Sequence, residues 1–238
     1  MIVKDLTYNN ILFNLSFELF PSTITCILGE NGSGKSTLIK CCSGYYKTNS
    51  VYIDNVNIQN FKASELKYLR TVFSQKNQIY QSISCKELIF IGLDFRNSEH
   101  FESLKVFFEI EDLLDKNFIN CSGGEQQRIL LVRTFLHALS YKNKKCNYIL
   151  LDEPFNFLDM RFIPKLIQKI KELRQAGFTI LVTVHDLTIA QKLGDSFMFI
   201  KKGKLIDYGN QNSFNIKNIC DTFSIETEEE LSYLNLKT

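Results

Sequence analysis

A run of nine residues places glycines, a lysine and hydroxyl side chains at a spacing suited to binding phosphate. Residues 29–37 read Gly-Glu-Asn-Gly-Ser-Gly-Lys-Ser-Thr, which matches the pattern G-x-x-x-x-G-K-[ST]. Glycines let backbone N–H groups turn toward one anion without a clash from a Cβ atom. Lys35 can then reach the β- and γ-phosphates of a nucleotide, and the Ser36 hydroxyl can ligate Mg²⁺. The predicted nucleotide-binding residues of this run are Gly29, Asn31, Gly32, Ser33, Gly34, Lys35, Ser36 and Thr37.

The segments on either side predict the strand and helix that such a loop needs. Thr23–Leu28 is an apolar stretch typical of a buried strand, and Thr37–Cys42 predicts a helix that ends near Gly44. The N-terminus of that helix adds a partial positive charge behind the loop. The alternative is a chance match in a flexible Gly/Ser loop. The flanking strand and helix favour nucleotide binding over that alternative.

Two acidic residues follow a second apolar strand. Tyr148–Leu151 predicts a buried strand, and Asp152 and Glu153 come directly after it. In a nucleotide site, Asp152 would hold Mg²⁺ through water, and Glu153 would polarise a water against the γ-phosphate. The alternative is a pair of acids that merely ends a strand. The phosphate-binding run in the same chain favours the catalytic interpretation.

A second glycine pair precedes a long predicted helix. Ser122, Gly123 and Gly124 stand before Glu125–Ser140, so that the helix N-terminus forms another potential anion site. One chain already has its own phosphate-binding loop. This second site is therefore surplus unless it serves the nucleotide of another subunit. The alternative is that Ser122 only caps the helix.

Composition narrows the class of protein. The chain has 238 residues, a net charge of +2 and 45% hydrophobic residues, which is typical of an ordinary globular protein and not of a general nucleic-acid or membrane-surface binder. No signal peptide is recognised, and the longest apolar run, Leu88–Leu93, is too short to span a membrane. The seven cysteines form no CxxC pair and no zinc spacing, so we expect reduced thiols in a cytosolic compartment.

Strands and helices alternate along most of the chain, which predicts an α/β fold with a mostly parallel sheet. From Asn77 to about Cys121 only helical segments are expected, as an insertion into that fold. Phe178–Val184 predicts a further buried strand, followed by a helix over Leu187–Leu193. Because ligands of such sheets bind at the carboxyl ends of the strands, the phosphate-binding run and Asp152 are expected at one edge.

The order of these motifs resembles that of the ATP-binding cassette (ABC) ATPases over nearly the whole chain. Gly29–Thr37 resembles the Walker A loop, Leu150–Glu153 the Walker B strand with its catalytic glutamate, and Ser122–Gly124 the signature motif. Single residues and short segments also resemble family motifs. Gln75 resembles the Q-loop glutamine, and Asn156–Asp159 resembles the D-loop. His185 resembles the switch histidine, and Tyr8 resembles the aromatic residue that stacks on adenine.

The resemblance implies a role for each matching residue. It implies that Glu153, His185 and Gln75 are catalytic. It implies metal contacts for Ser36, Gln75 and Asp152, and nucleotide contacts for Tyr8, Asp159 and the signature residues Ser122, Gly123 and Gly124, with ATP and Mg²⁺ as the bound species. The plainer alternatives are a surface glutamine, a strand-end histidine and a tyrosine that only packs. Cys121 and Glu125 depart from the family's usual leucine and glutamine, and Phe155 and Phe157 make the D-loop unusually aromatic.

The resemblance also implies an architecture and partners. It implies a P-loop NTPase fold of the ABC ATPase type, with a mixed sheet in one domain over residues 1–238. The core would be 1–76 and 145–238, and the helical subdomain 77–144. Two copies would form a head-to-tail homodimer with two ATP molecules between Walker A and signature motifs. Polytopic membrane permease subunits would be direct partners and a substrate-binding protein an indirect one, at the cytoplasmic face of the inner membrane. No nucleic-acid partner is expected.

Finer likenesses point to one group of importers. Asn156–Asp159, His185-Asp186-Leu187 and the ending Asp207-Tyr208-Gly209 resemble ATPases of iron-siderophore, haem and vitamin B12 importers. The long Leu139–Asn147 stretch is similar to the vitamin B12 group. The sequence leaves open a soluble ABC ATPase in cofactor assembly or nucleic-acid maintenance, although the chain lacks the coiled coil of DNA-repair members and has a single cassette. Its intact Lys35, Asp152, Glu153 and His185 argue against a regulator that does not hydrolyse ATP.

Overall fold

Strands of the protein form two sheets in a computed structural model that describes residues 1–74, 82–94, 98–141 and 147–225. In chain order the strands are β1 (Ile2–Tyr8), β2 (Leu12–Glu18), β3 (Ile24–Leu28), β4 (Val51–Ile53), β5 (Val56–Asn57), β6 (Arg70–Phe73), β7 (Tyr148–Leu151), β8 (Thr179–Thr183), β9 (Ser196–Lys201) and β10 (Lys204–Gly209). The smaller sheet has the order β2-β1-β4-β5, and its strands pair antiparallel.

The larger sheet carries the residues of interest. Its order is β10-β9-β3-β8-β7-β6. Neighbours from β9 to β6 pair in parallel, and β10 joins the edge as the antiparallel arm of a hairpin with β9. The predicted mixed sheet is therefore present. Because β3, β7 and β8 are parallel neighbours, the loops that follow them emerge at one edge.

Helices cover the sheets. They are α1 (Lys35–Cys42), α2 (Ala63–Leu66), α3 (Cys85–Phe90), α4 (Ser98–Phe107), α5 (Gly123–Tyr141), α6 (Phe162–Gln175), α7 (Leu187–Leu193) and α8 (Ile216–Phe223). Short 3₁₀ turns occupy Ile58–Asn60, Glu111–Leu113, Phe118–Asn120 and Gln211–Ser213. Of the described helices, none combines the length and apolar character that a membrane span requires.

The central strands are buried on both faces, which explains their continuous apolar sequences. In β3, Ile24, Cys26 and Leu28 belong to the core under α5, α6 and α7, whereas Ile27 belongs to the core around α1 and the antiparallel sheet. This alternation follows from the two-residue period of a strand. Side chains of β3 therefore pack into both cores, and this packing fixes the loop that begins at the carboxyl end of the strand.

Two helices begin earlier than the sequence predicts. Helix α1 starts at Lys35 and not at Thr37, because Gly34 adopts a left-handed conformation (φ 107°) that reverses the chain into the helix. Helix α5 starts at Gly123, so both signature glycines are helical and not part of a preceding loop. In each case residues predicted to bind nucleotide lie in the first helical turn, where backbone N–H groups have no acceptor within the helix.

Between β6 and β7 the described residues are mostly helical. They form α3, α4, α5 and two 3₁₀ turns, with an isolated bridge between Ser84 and Asn117. Cys85 and Cys121 meet in this region with their sulfur atoms 3.5 Å apart, both as free thiols. The division of the chain at 76/77 and 144/145 stays a prediction, because residues 75–81 and 142–146 lie outside the described ranges.

Candidate functional site

The loop between β3 and α1 requires glycine at two positions for steric reasons. A Cβ atom at Gly29 would lie 2.2 Å from the carbonyl oxygen of Ile200, so the strand β9 leaves no room for a side chain. A Cβ atom at Gly34 would lie 2.7 Å from a methyl carbon of Leu12, and its φ of 107° is strained for other residues. The loop is thus held against its neighbours by contacts that only glycine permits.

Lys35 is turned back over this loop. Its Nζ atom donates hydrogen bonds to the carbonyl oxygens of Gly29 (2.8 Å) and Glu30 (2.9 Å). The residue is only 5% exposed, and burial lowers the pKa of the ammonium, while the nearby carboxylates of Glu153 and Asp152 raise it. A buried cation bound to neutral carbonyls is well placed to gain from an anionic ligand.

The remaining residues of the predicted loop surround that cation. Ser33 is buried, and its Oγ atom has no hydrogen-bond partner among the described residues. Asn31 and Gly32 are exposed at the tip of the loop, and Ser36 and Thr37 follow in the first turn of α1. An orphaned buried hydroxyl, a buried lysine and a helix N-terminus together fit a phosphate-bearing ligand.

The chain brings Ser36 and Asp152 together, 116 residues apart in sequence. Ser36 Oγ donates a 3.0 Å hydrogen bond to Asp152 Oδ1. Asp152 is 3% exposed; burial raises the pKa of its carboxyl, and the hydrogen bonds from Ser36 and Thr183 lower it. A hydroxyl and a carboxylate are oxygen ligands of the kind that Mg²⁺ prefers, so this pair fits the predicted metal.

Thr183 links the two acidic residues and was not predicted as a site residue. Its Oγ1 atom donates to Asp152 Oδ1 (3.1 Å) and accepts the backbone N–H of Glu153 (2.6 Å). One hydroxyl can do both, since it has one donor and two lone pairs. Nothing in the sequence around Thr183 marks it as a site residue. Its role follows from its position at the end of β8, the strand that pairs with β7.

Glu153 is fixed by side-chain contacts on both of its oxygens. Oε1 lies 2.7 Å from His185 Nε2, and Oε2 accepts a 2.6 Å hydrogen bond from Asn156 Nδ2. Its backbone φ of 53° is left-handed, which is uncommon outside glycine and occurs often at functional sites. The carboxylate is therefore held in one orientation. Sequence analysis placed Glu153 and His185 in one catalytic set but did not identify Asn156 as a partner of Glu153.

A cavity of about 160 Å³ adjoins this pair. Glu153, Asn156, Thr183 and His185 line its polar side, and Phe155 and Ile189 line its apolar side. The side chain of His185 is 37% exposed, so the imidazole lies at the boundary between the protein and the surface. Thus His185 can contact a ligand at the surface while it remains bonded to Glu153.

The signature residues form a helix cap in this chain. Ser122 Oγ accepts the N–H of Glu125 (3.3 Å), and the Glu125 carboxylate accepts the N–H of Ser122 (2.7 Å). This reciprocal pair is a capping box, so the structural alternative for Ser122 is present. It also explains Glu125 at this position. Contact of Ser122 with a partner copy's nucleotide stays a prediction.

The signature helix is tied to the loop after Glu153. Gln127, on α5, donates from Nε2 to the carbonyl oxygen of Pro154 (2.9 Å) and, at 3.5 Å, to that of Glu153. Gln127 is 5% exposed, so these bonds are shielded from water. Sequence analysis did not identify this residue. Its bonds couple the position of α5 to the loop after Glu153 within one chain.

The aromatic residues of the predicted D-loop now have a structural explanation. Phe157 has a left-handed φ of 59°, and its carbonyl oxygen would lie 2.9 Å from a Cβ atom at Gly124. Its ring carbons lie 3.8 Å from the corresponding point at Gly123, and the residue is 70% exposed. Phe155 instead packs against the main core. Phe157 thus covers the glycine pair, and the exposed Asp159 follows it.

Tyr8 and Gln75 are the remaining predicted site residues. The ring of Tyr8 stacks on Tyr46, with centroids 4.8 Å apart and planes 14° from parallel. One face of the predicted adenine platform is therefore covered by a residue that sequence analysis did not consider. Gln75 lies outside the described residues, one position beyond Ser74 after β6. Its predicted catalytic and metal roles stay predictions.

Known proteins resemble this chain over most of its length. The family model described as "ABC transporter" matches residues 12–156. The hemin import ATP-binding protein HmuV of Hydrogenovibrio crunogenus is 29% identical over 217 residues, which cover 86% of this chain and 83% of that protein. The petrobactin import ATP-binding protein YclP of Bacillus subtilis is 29% identical over 210 residues, which cover 84% of this chain and 81% of that protein.

Solved structures share the fold. A structure described as the ATP binding subunit of an ABC transporter matches with a TM-score of 0.76 at 23% identity, and the match covers 99% of each chain. The dimeric structure of MJ0796, described as a bacterial ABC transporter cassette, matches with a TM-score of 0.72 at 24% identity over 84% of this chain and 90% of that one. The predicted P-loop NTPase fold of the ABC type, with its mixed sheet, is confirmed.

Proposed function

Because this chain belongs to the ABC transporter family and is an ATPase, we propose that it is the ATP-hydrolysing subunit of an importer for an iron-siderophore, haem or cobalamin-type substrate. The import ATP-binding proteins for hemin and petrobactin, each 29% identical to this chain, support the substrate class. The observation that carries the hydrolytic function is the 2.7 Å contact between His185 and Glu153, beside the loop that holds Lys35.

Binding is the task of the loop and of α1. Lys35 exchanges its bonds to the carbonyls of Gly29 and Glu30 for the β- and γ-phosphate oxygens of ATP. The N–H groups at the start of α1 and the Ser33 hydroxyl add donors to the same anion. Ser36 and Asp152 would hold Mg²⁺, with Gln75 as a further ligand. When bound, Mg²⁺ neutralises phosphate charge and orients the γ-phosphate.

Hydrolysis is the task of Glu153 and its two partners. The carboxylate accepts a proton from a water molecule whose oxygen bonds to the γ-phosphorus, while the bond from that phosphorus to the bridging oxygen breaks and ADP leaves. Asn156 and His185 hold one carboxylate oxygen each, so the base needs little reorganisation when the water reacts. The ring of His185 lies at the surface, where it can also contact the γ-phosphate.

Two copies complete the site in this proposal. Ser122 and Gly123 are exposed at the start of α5, and in a head-to-tail homodimer they and Gly124 would bind the nucleotide of the partner copy. Asp159 follows Phe157 on the same surface and contributes to that nucleotide's contacts. Tyr8 stacks on adenine with the face that Tyr46 does not cover. The MJ0796 cassette, which has the same fold, was solved as a dimer.

The proposal places the protein at the cytoplasmic face of the inner membrane as a peripheral subunit. Polytopic permease subunits would dock on the helical part, residues 77–144, and a substrate-binding protein would act on the far side. The core, residues 1–76 and 145–238, would carry the nucleotide. The names of the hemin and petrobactin import proteins support this assignment.

Affinity purification from detergent-solubilised membranes tests the importer function. We expect the tagged Glu153→Gln chain with Mg·ATP to co-purify with a polytopic membrane protein, whereas Lys35→Ala, which binds ATP weakly, should recover less of it. A strain that lacks the chain should then fail to grow on one of three sources: haem, a ferric siderophore or cobalamin. Recovery of the ATPase without any polytopic membrane protein, together with normal growth on all three, would support the soluble alternative instead.

A further inference from the structure

A second polar cavity lies toward the opposite end of the parallel strands from the nucleotide site. It has a volume of about 160 Å³ and lies between β6 and α5. Its lining includes Lys67, Arg70, Thr71, Arg133, Thr134 and His137. Arg70 and Thr71 begin β6, whereas Asp152 follows the end of the parallel neighbour β7. The cavity therefore sits near the amino ends of these strands, and the ATP-hydrolysing machinery at their carboxyl ends.

Three of the described residues that line this cavity are cationic, and none of those lining residues is acidic. Lys67 forms an ion pair with Asp94, which also accepts a 2.7 Å hydrogen bond from Tyr68. That pair is neutral as a unit. Arg70 and Arg133 add two positive charges, and Nε of Arg70 donates to the carbonyl oxygen of Ser43 (2.7 Å), which orients its guanidinium.

Arg133 has no counter-ion in the described part of the chain. No hydrogen bond or ion pair reaches its guanidinium there, although this residue of α5 is half-buried. Burial lowers the pKa of this guanidinium. A guanidinium that lines a cavity and has no counter-ion among the described residues can donate to an anion bound there.

His137, one turn further along α5, points to the same conclusion independently. Its Nδ1 atom is buried and has no hydrogen-bond partner among the described residues. Burial, together with the charges of Arg133, Arg70 and Lys67, lowers the pKa of the imidazole to about 4. The ring is thus neutral near pH 7, and its Nδ1 atom can donate or accept one hydrogen bond, depending on the tautomer. Buried polar atoms of this kind usually have a partner.

We infer that this cavity binds a small oxyanion of the phosphate class, either inorganic phosphate or the phosphate group of a monoester. A guanidinium donates a fork of N–H bonds that matches two oxygens of such an anion. A water molecule takes up roughly 30 Å³ in the liquid, so a cavity of about 160 Å³ admits the anion with some of its water. The inference does not depend on the substrate of the importer.

The location gives the site a route to the nucleotide. Helix α5 carries the signature residues at its start and Arg133 and His137 further along, and β6 leads to Gln75. Thr71 Oγ1 already donates to the carbonyl oxygen of Thr134, at 3.4 Å, across this junction. An anion bound by residues from both elements would fix α5 against the edge of the sheet.

Titration calorimetry with inorganic phosphate tests the site. The full chain is first saturated with a non-hydrolysable Mg·ATP analogue, so that phosphate does not enter the Walker A loop. We expect the parent protein to bind one phosphate per chain, and Arg133→Gln to weaken that affinity by about tenfold or more, the usual effect of losing a charge-assisted hydrogen bond. His137→Phe, which keeps a ring but removes Nδ1, should weaken it as well.

Matched controls separate the site from a general charge effect. Lys217→Gln removes one exposed cation on α8 and should leave phosphate affinity unchanged. Without phosphate, Arg133→Gln should unfold at a temperature equal to or above that of the parent, because an unpaired charge has been removed. Phosphate should then raise the midpoint of the parent and not that of the variant. Equal stabilisation of both proteins, or no phosphate binding by the parent at millimolar concentrations, would overturn the inference.

Discussion

His185 Nε2 lies 2.7 Å from Glu153 Oε1, and this contact connects the loops that follow two neighbouring parallel strands, β8 and β7. The second carboxylate oxygen of Glu153 accepts a hydrogen bond from Asn156, and the backbone N–H of Glu153 donates to Thr183. A carboxylate with every side restrained is suited to act as a base at one position only.

Glu153→Gln should leave ATP binding intact and slow hydrolysis by roughly a hundred- to ten-thousandfold, the usual contribution of a general base. The amide keeps the shape of the side chain and a partner for Asn156 or His185, so the fold should be unaffected. Phosphate release measures turnover, and a fluorescent ATP analogue measures binding. Near-normal turnover would mean that another group is the base.

Lys35→Ala should weaken ATP binding by roughly 1.5–3 kcal/mol, the value of a hydrogen bond to a charged group. The reason is that Lys35 Nζ lies over the loop, bonded to the carbonyls of Gly29 and Glu30. Lys47→Ala removes an exposed lysine outside the loop and serves as the control. Equal affinities of Lys35→Ala and the control, by equilibrium dialysis, would contradict the assignment.

Thr183→Val should lower both stability and turnover. The change leaves the buried N–H of Glu153 without its acceptor and removes a donor to Asp152, at a cost of about 1–3 kcal/mol in the free energy of unfolding. Thr183→Ser keeps the hydroxyl and should restore most of the turnover. Urea denaturation and ATPase assays measure the two effects. A valine variant as active as the serine variant would show that the hydroxyl has no role.

Gly124→Ala and Gly123→Ala should differ although they are adjacent. A Cβ atom at Gly124 would lie 2.9 Å from the Phe157 carbonyl oxygen, so the D-loop must shift, whereas the contacts at Gly123 are ordinary at 3.8 Å. We expect Gly124→Ala to destabilise the nucleotide-free chain, and Gly123→Ala to be neutral or stabilising by up to about 1 kcal/mol through helix propensity. Equal unfolding midpoints of the two variants would show that Phe157 does not pack on Gly124.

Asp152 should make stability fall as pH rises through the acid range. Burial raises the pKa of this carboxyl in the folded chain above its usual value of 3.8. The unfolded chain therefore releases this proton first, and the folded state loses stability between the two pKa values and stays lower above them. Without Mg²⁺, Asp152→Asn should be at least as stable as the parent near pH 7, and the difference should vanish below the usual pKa. Thermal unfolding measured across pH checks this. The prediction would be refuted if the stability of Asp152→Asn minus that of the parent were lower at pH 7 than at acid pH.

Local sequence was sufficient to predict a feature when one short segment contains all the residues that form it. The loop from Gly29 to Thr37 needs only its glycines, one lysine and the adjoining strand and helix, all of which are contiguous. The apolar run ending at Asp152 likewise marks a strand that is buried on both faces. The order of motifs identified the family, whereas the separate roles of Asp152 and Glu153 stay predictions.

Contacts between segments that are distant in the chain could not be predicted from the sequence motifs. Thr183 and Gln127 bond to the Walker B segment only because β8 pairs with β7 and α5 packs beside the loop. Threonines and glutamines are common, and nothing in their neighbours marks them. The stacking of Tyr46 on Tyr8 and the packing of Phe157 on the signature glycines arise in the same way.

The sequence by itself therefore determined that this chain binds nucleotide, hydrolyses it and has the ABC ATPase fold, because those properties reside in contiguous motifs and in their order. Only the tertiary structure decided which side chains restrain Glu153 and why the D-loop is aromatic. It also decided that Arg133 and His137 share a cavity with Arg70, since the strand β6 and the helix α5 meet only after folding. Charge and hydrogen-bond balance depend on which groups become neighbours in space, and spacing along the chain does not contain that information.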